Sequence, residues 1–197
     1  MANEIVVYYA LQSPWTYLGW QRFLQLVEDK QASATFRPIK MAPIFAASGG
    51  LPLAKRPKQR QAYRMMELKR WRDALNLPLT LEPAFFPVDE TEAALMVIAH
   101  GEQGGDAGAL SHAMLRAVWS EERDLADRQT LAMIAAEQGL DGQALLTAAA
   151  AQPIADRYEA NTQAALADGV FGVPTFKLGD ELFWGQDRLD LLARALG

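Results

Sequence analysis

The stretch Ser13-Pro14-Trp15-Thr16 follows a short apolar run and is the first place in the chain where residue types suit chemistry. Serine followed by proline is an ordinary helix start, because the serine side chain caps the first turn and proline fits the first helical position. A helix N-terminus also presents unpaired N–H groups and the positive end of the helix dipole, which stabilise an anion. Ser13 is therefore expected either to cap a helix only, or to cap it and also contact an anion.

The composition limits what that anion can be. The 197 residues include no cysteine, so the chain itself supplies neither a thiolate nor a disulfide. Only two histidines occur, His100 and His112, and neither has a second ligand at metal spacing, so no metal site is predicted. The formal net charge of −5 argues against a nucleic-acid partner. No apolar stretch reaches the roughly 20 residues of a membrane span and no signal-peptide pattern is visible, so we expect no membrane partner and a cytoplasmic location.

Hydrophobic periodicity predicts strands at both ends of the chain and helices between them. Strands are predicted over 5–9 and 34–39 near the start, and over 175–178 and 181–184 near the end, where Gly179-Asp180 is typical of a hairpin turn. The predicted helices cover 14–30, 57–75, 90–100, 110–120, 128–138, 143–151, 153–167 and 187–196. This order predicts an α/β protein with one sheet assembled from both termini and a helical insertion.

This order, with strands at both ends of the chain and helices between them, is that of a thioredoxin-like fold with an inserted all-helical domain. We expect residues 1–42 plus 168–197 to form the thioredoxin-like domain and residues 43–167 to form the insertion. In that fold a C-P-x-C pair lies where the first strand meets its helix, and here Ser13-Pro14-Trp15-Thr16 occupies that place. The second marker is a cis proline before the hairpin, and Pro174 occupies that slot. Because the chain lacks a thiol, a small bound thiol is the candidate nucleophile, with Ser13 donating a hydrogen bond to its sulfur.

Several segments together carry a family resemblance: "SPWTYLG", "GVFGVPTF", "FWGQDRLDLL", the basic "AYRMMELKRWRDALNLPL" and "FFP". They resemble the 2-hydroxychromene-2-carboxylate isomerases and the related kappa-class glutathione transferases, over nearly the whole length. The resemblance implies a homodimer that binds glutathione. It also implies interconversion of a cyclic hydroxychromene carboxylate and an open benzylidenepyruvate in naphthalene-type aromatic catabolism.

The resemblance also assigns a role to individual residues. Ser13 matches the residue whose hydroxyl contacts the glutathione sulfur, and Val173, before Pro174, matches the residue whose backbone pairs with the cysteinyl part. Gln186 and Asp187 match the turn that holds the γ-glutamyl end, and Arg60 falls where relatives place a lysine near the glycyl carboxylate. Two simpler interpretations stay open: Asp187 is also a plain helix-start acid, and Arg60 is also part of a solvated basic face.

The implied mechanism is nucleophilic: a thiolate adds to the conjugated substrate, permits rotation about a former double bond and leaves. The substrate is a small aromatic carboxylate, so both a cationic and an apolar contact are expected. The candidates for its carboxylate are Arg64, Lys69 and Arg70. The candidates for an apolar wall are Trp15, Tyr17 and Trp71, although aromatic residues at such spacing also serve as core.

The chain departs from the family pattern on the substrate side. Members commonly carry an acidic residue where this chain has Ala10, and relatives tend to have asparagine where it has Asp89-Glu90. The physiological substrate therefore stays open. Two alternative functions also stay open: a kappa-type glutathione transferase or peroxidase, and a non-catalytic thioredoxin-like binding or chaperone module. The basic insertion helix and the Gly185–Arg188 turn favour the two enzymes over the module.

Overall fold

A mixed sheet joins the two ends of the chain in the computed structural model, which describes residues 4–197. Strands β1 (Glu4–Tyr9) and β2 (Ser33–Pro38) are parallel, while β3 (Thr175–Leu178) and β4 (Glu181–Trp184) form an antiparallel hairpin. Strand β1 pairs with β3 in antiparallel orientation, so the order of the four described strands is β2-β1-β3-β4. The thioredoxin-like α/β fold is thereby confirmed.

Helices fill the chain between and around these strands, with predicted and observed bounds mostly within a few residues. They are α1 (Pro14–Asp29), α2 (Met41–Ser48), α3 (Lys58–Leu75), α4 (Thr91–Glu102), α5 (Ala107–Trp119), α6 (Arg128–Glu137), α7 (Gly142–Ala149), α8 (Gln152–Ala167) and α9 (Leu189–Ala195). The sequence did not predict α2, because eight mostly apolar residues that include a proline show no clear helical periodicity. The helix predicted from residue 187 begins instead as a 3₁₀ turn, Gln186–Arg188. No helix within residues 4–197 combines the length and apolar character needed to cross a bilayer.

One hydrophobic core runs through the sheet and the inserted helices. Side chains of β1, α1, α4 and α5 belong to the same buried cluster. Polar contacts cross the same boundary: the Trp20 indole donates a hydrogen bond to the Gly108 carbonyl at 2.9 Å, and the Tyr9 and Ser111 hydroxyls lie 2.7 Å apart. The insertion is therefore anchored directly behind the end of β1, where Ser13 follows. The domain boundaries named above stay a prediction.

Candidate functional site

Ser13 lies at the N-cap of α1, four residues beyond the end of β1. Its Oγ accepts a hydrogen bond from the Thr16 backbone amide at 3.3 Å, and its own amide donates to the Ala10 carbonyl at 3.1 Å. The side chain is largely buried, and no residue within 4–197 accepts a hydrogen bond from its hydroxyl. The Ser13 hydroxyl therefore caps the helix as an acceptor and retains a proton to donate to a ligand.

The loop before β3 lies beside this helix start. Tyr8 pairs with Thr175 in the sheet, so the preceding residue, Pro174, adjoins the end of β1 that leads to Ser13. The Val173–Pro174 peptide bond is cis, as the sequence predicted. Within the described residues, no hydrogen bond engages the backbone amide or carbonyl of half-buried Val173. These backbone groups are available to pair with an extended peptide, as in strand addition.

A tight turn after β4 forms the third side of the site. The Gly185 amide donates to the Pro174 carbonyl at 2.9 Å, which fixes the turn against the cis-proline loop. Gly185 has a φ of 107°, and a Cβ there would lie 2.4 Å from Asp187 Oδ1. The positive φ favours glycine here, and a Cβ would in addition force the Asp187 side chain to move. The Asp187 carboxylate is partly exposed and lies 3.4 Å from the Arg188 guanidinium.

The same turn is packed against α1 through Gln186. A Cβ on Gly19 would lie 2.7 Å from the Gln186 Cβ, so α1 and the turn approach closely only because residue 19 is glycine. The buried Gln186 side-chain carbonyl accepts a hydrogen bond from Arg22 at 2.9 Å. The side-chain carbonyl of Gln186 is thus already bonded within the protein. Of these two residues, Asp187 is the one whose carboxylate can contact a ligand.

Helix α3 contributes positive charge. The Arg64 guanidinium lies 5.3 Å from the Phe86 ring centroid and 5.9 Å from that of Trp119. Burial and the charge of Arg56 lower the pKa of Arg64 to about 10, and burial and the charge of Arg60 lower the pKa of Arg56. Within residues 4–197, none of these three arginines forms an ion pair with a carboxylate. Such a cluster favours an anionic ligand.

A buried acid lies behind Ser13. Glu90, the last residue before α4, accepts hydrogen bonds from the Gln12 backbone amide (2.8 Å, Oε2) and the Gln12 side-chain amide (3.1 Å, Oε1). Burial raises the pKa of Glu90 to about 7, although the hydrogen bonds from Gln12 oppose that rise. An ionisable group that changes charge near neutral pH thus lies next to the residue preceding Ser13.

Comparisons with known proteins show the family of this chain. A family model described as a DSBA-like thioredoxin domain matches residues 4–197. The 2-hydroxychromene-2-carboxylate isomerase of Pseudomonas putida is 30% identical over 193 residues, which is 96% of this chain and 92% of that protein. The chain belongs to this isomerase family.

Two further comparisons give one isomerase structure and one related transferase. A solved structure of a 2-hydroxychromene-2-carboxylate isomerase superposes with a TM-score of 0.84 at 29% identity, covering 98% of this chain and 94% of the other. The human protein named glutathione S-transferase kappa 1 is 26% identical over 212 residues, covering all of this chain and 92% of that protein. The prediction of an enzyme of the isomerase class is confirmed.

The structure separates the predicted residues of the insertion helix. At about 100° per residue, Arg60, Arg64 and Trp71 share one face of α3, whereas Lys69 and Arg70 point about 140° and about 120° away from Arg64. Lys69 and Arg70 are exposed, and Arg70 pairs with Glu67. Of these three candidates for the substrate carboxylate, Arg64 is the one that is partly buried and shares a face with Arg60, and the assignment of all three stays a prediction.

The three aromatic candidates for the apolar wall differ in burial. Tyr17 is 4% exposed, and its hydroxyl donates to the Pro78 carbonyl at 2.7 Å. It is a core residue, because its ring packs inward from α1 and its polar end is satisfied within the protein. Trp15 and Trp71 are half-buried against the core and keep part of their surface for a ligand.

Four residues near the site were not singled out from the sequence: Gln12, Arg22, Arg56 and Glu90. The departure from asparagine at Asp89-Glu90 was a signal for Glu90, but nothing local showed that it meets Gln12. Arg56 lies outside the predicted helix 57–75, so helical spacing could not place it beside Arg60. Arg22 was one polar residue on an amphipathic helix, and its partner Gln186 is 164 positions away in sequence.

Proposed function

We propose that the protein is a glutathione-dependent isomerase. It converts 2-hydroxychromene-2-carboxylate-type compounds to trans-o-hydroxybenzylidenepyruvate-type compounds in aromatic, naphthalene-type catabolism. The observation that carries the proposal is the Ser13 hydroxyl, which caps α1 with its oxygen and keeps its proton for a ligand beside the cis-proline loop. In a chain without cysteine, this is a site for a thiol supplied from outside.

The chain offers a group of suitable chemistry for each part of glutathione. The Asp187 carboxylate suits the γ-glutamyl ammonium, and the unengaged Val173 backbone suits the cysteinyl amide and carbonyl. Arg60, at the exposed end of the basic face, suits the glycyl carboxylate. The name of the kappa-class relative, a glutathione transferase, supports the same ligand.

Bound glutathione supplies a thiolate that adds reversibly to a conjugated substrate and so permits rotation about a former double bond. The protein's part is to lower the thiol pKa and to hold the substrate. Ser13 donates its proton toward the sulfur, and the N-terminus of α1 favours the negative charge there. Arg64, whose guanidinium lies near the Phe86 and Trp119 rings, pairs with the substrate carboxylate, and Trp15 and Trp71 bound the aromatic part.

The first experiment is turnover of 2-hydroxychromene-2-carboxylate with and without glutathione. We expect turnover that rises with glutathione concentration and saturates, and none above background when S-methylglutathione replaces it. Binding of both peptides is followed by calorimetry, which separates loss of the thiol from loss of binding. Turnover that is equal with and without glutathione would contradict the proposal.

A kappa-type transferase is the second candidate, supported by the identity to the human kappa protein along the whole chain. Consumption of glutathione distinguishes the two: an isomerase returns all of it, whereas a transferase consumes one glutathione for each electrophile. A non-catalytic binding module would bind glutathione and show neither activity. A homodimer and a cytoplasmic location are further proposals, and light scattering of the purified protein tests the first.

A further inference from the structure

Glu90 connects the inserted helices to the helix start that carries Ser13. It lies at the entrance to α4, is 7% exposed, and has both carboxylate oxygens within hydrogen-bond distance of Gln12. Gln12 directly precedes Ser13, and the Ser13 amide in turn donates to the Ala10 carbonyl. The turn 10–13 is thus held from within by Ala10 and from the insertion by Glu90.

The chemistry of the two partners makes this contact depend on ionisation. Both groups that Gln12 offers are N–H donors, so both bonds are satisfied only when Glu90 is a carboxylate with two accepting oxygens. In a protonated carboxyl one oxygen carries a hydrogen. That O–H group is a donor, and here it would meet an N–H group that is also a donor. Protonation therefore weakens at least one of the two bonds.

The surroundings of Glu90 keep both charge states accessible. Its charge raises the pKa of the Tyr9 hydroxyl in β1 and of the Tyr158 hydroxyl in α8, and the charge of the neighbouring Asp89 raises the pKa of Glu90 itself. The Tyr9 hydroxyl is engaged with Ser111, and Asp89 accepts from the Thr91 amide at 2.9 Å. Within residues 4–197, no cation forms an ion pair with Glu90. Burial without a cation is the condition that raises a carboxyl pKa toward neutrality.

We propose that Glu90 is a positioning residue whose ionised carboxylate, acting through Gln12, holds the Ser13 hydroxyl in the orientation that receives a thiol. Protonation of Glu90 releases Ser13 and lowers thiol activation at slightly acid pH. The role in thiol activation rests on the proposed function. The coupling between Glu90 and Ser13 does not, and it is tested in the ligand-free protein.

The test uses amide NMR of the ligand-free protein titrated from about pH 5.5 to about pH 8.5. The Gln12 amide reports its bond to Glu90, and the Thr16 amide reports the position of the Ser13 Oγ that it contacts. We expect both amide signals to move with one shared midpoint near neutrality, and to stay flat in Glu90→Gln. A Gln12 signal that titrates while Thr16 does not would overturn the proposal, and so would two flat signals.

Two further variants sharpen the assignment. Gln12→Met removes the side-chain donor and leaves the backbone donor, so the shared midpoint should rise by about one pH unit as the carboxylate loses a hydrogen bond. Asp89→Asn removes a neighbouring charge without touching Gln12, so the coupled movement of the two amides should persist. Loss of that movement in Asp89→Asn would assign it to Asp89 and overturn the role of Glu90.

Glutathione then tests the functional consequence. The bound thiol, read by the ultraviolet absorbance of its thiolate, releases one proton. Coupled loss of the Glu90 proton should make this titration steeper than a one-proton curve in the parent protein but not in Glu90→Gln, while the affinity for glutathione changes less than about threefold. A one-proton curve in both proteins would overturn the proposal. If glutathione does not bind at all, the proposed function fails, whereas the NMR titration still decides the coupling between Glu90 and Ser13.

Discussion

The backbone amide of Gly185 donates a hydrogen bond to the Pro174 carbonyl at 2.9 Å, which ties the turn carrying Asp187 to the loop carrying Val173. Both segments come from the C-terminal part of the chain, and the register of β1 with β3 brings them to Ser13. Two of the proposed glutathione contacts therefore depend on one short piece of backbone and on the conformation of Gly185.

We expect Gly185→Ala to weaken glutathione binding and to lower the free energy of unfolding by about 1–2 kcal/mol, because a Cβ at positive φ is strained. The new Cβ also meets the Asp187 carboxylate and displaces it. Gly179→Ala is the matched control: φ is 57° there, but the Cβ meets nothing within 4 Å. Calorimetry should show weaker binding in the first variant only, and equal binding losses in both would contradict the assignment.

Ser13→Ala should raise the pKa of the bound glutathione thiol, because the sulfur loses a hydrogen bond that favours its ionised form. The variant should also lose about 1 kcal/mol of unfolding free energy as the α1 cap disappears. Asp106→Ala removes the cap of α5, where the side chain accepts from the Ala109 amide at 2.9 Å. This control should lower stability without moving the thiol pKa, which is measured by thiolate absorbance; an unmoved titration in Ser13→Ala would leave Ser13 as a cap only.

Asp187→Asn should weaken glutathione about tenfold, or about 1.4 kcal/mol, if the carboxylate pairs with the γ-glutamyl ammonium. Asp190→Asn makes the same chemical change on α9. The Asp190 side chain is 87% exposed, and its contact with Arg22 is long, at 3.9 Å. We expect it to leave binding unchanged. A dissociation constant for Asp187→Asn within twofold of the parent would assign Asp187 to the helix start alone.

Arg64→Met should raise the KM for the carboxylate substrate at least about tenfold, because a charged hydrogen bond is removed while the aliphatic packing is kept. The glutathione affinity should change little, since Arg60 is the residue proposed for the glycyl end. Lys69→Met, on the opposite face of α3, should alter neither quantity. Steady-state kinetics with each ligand varied in turn separates these effects, and an unchanged KM in Arg64→Met would remove it from the substrate site.

Glu90 should also make stability depend on pH. Its pKa is about 7 in the folded protein and near 4.5 in the unfolded chain, so between these values only the unfolded chain releases the proton. The free energy of unfolding should therefore fall as pH rises through that window, by at most about 3 kcal/mol. Glu90→Gln lacks this loss, so its stability relative to the parent should grow between about pH 5 and pH 8. Urea unfolding at both pH values measures it, and a constant difference would mean that the Glu90 pKa is not raised.

Local patterns were sufficient where the interaction itself is local. Ser13 and Pro14 specify the start of α1, because a cap and its amide lie three residues apart. The sequence also predicted strands at the two ends of the chain and a cis peptide bond before Pro174. For Lys69 and Arg70 the limit was different: helical spacing separates them from Arg64, but only packing decides which face of α3 is the inner one.

The sequence by itself determined the element order, the helix start at Ser13 and the absence of an internal thiol. Only the tertiary structure decided that Glu90 meets Gln12 across 78 positions, that Arg22 holds Gln186 across 164, and that Tyr17 belongs to the core. The physical reason is the range of each interaction. Caps and helical faces depend on neighbours within one or two turns, whereas a buried carboxylate or a paired side chain depends on which distant segment the core brings against it.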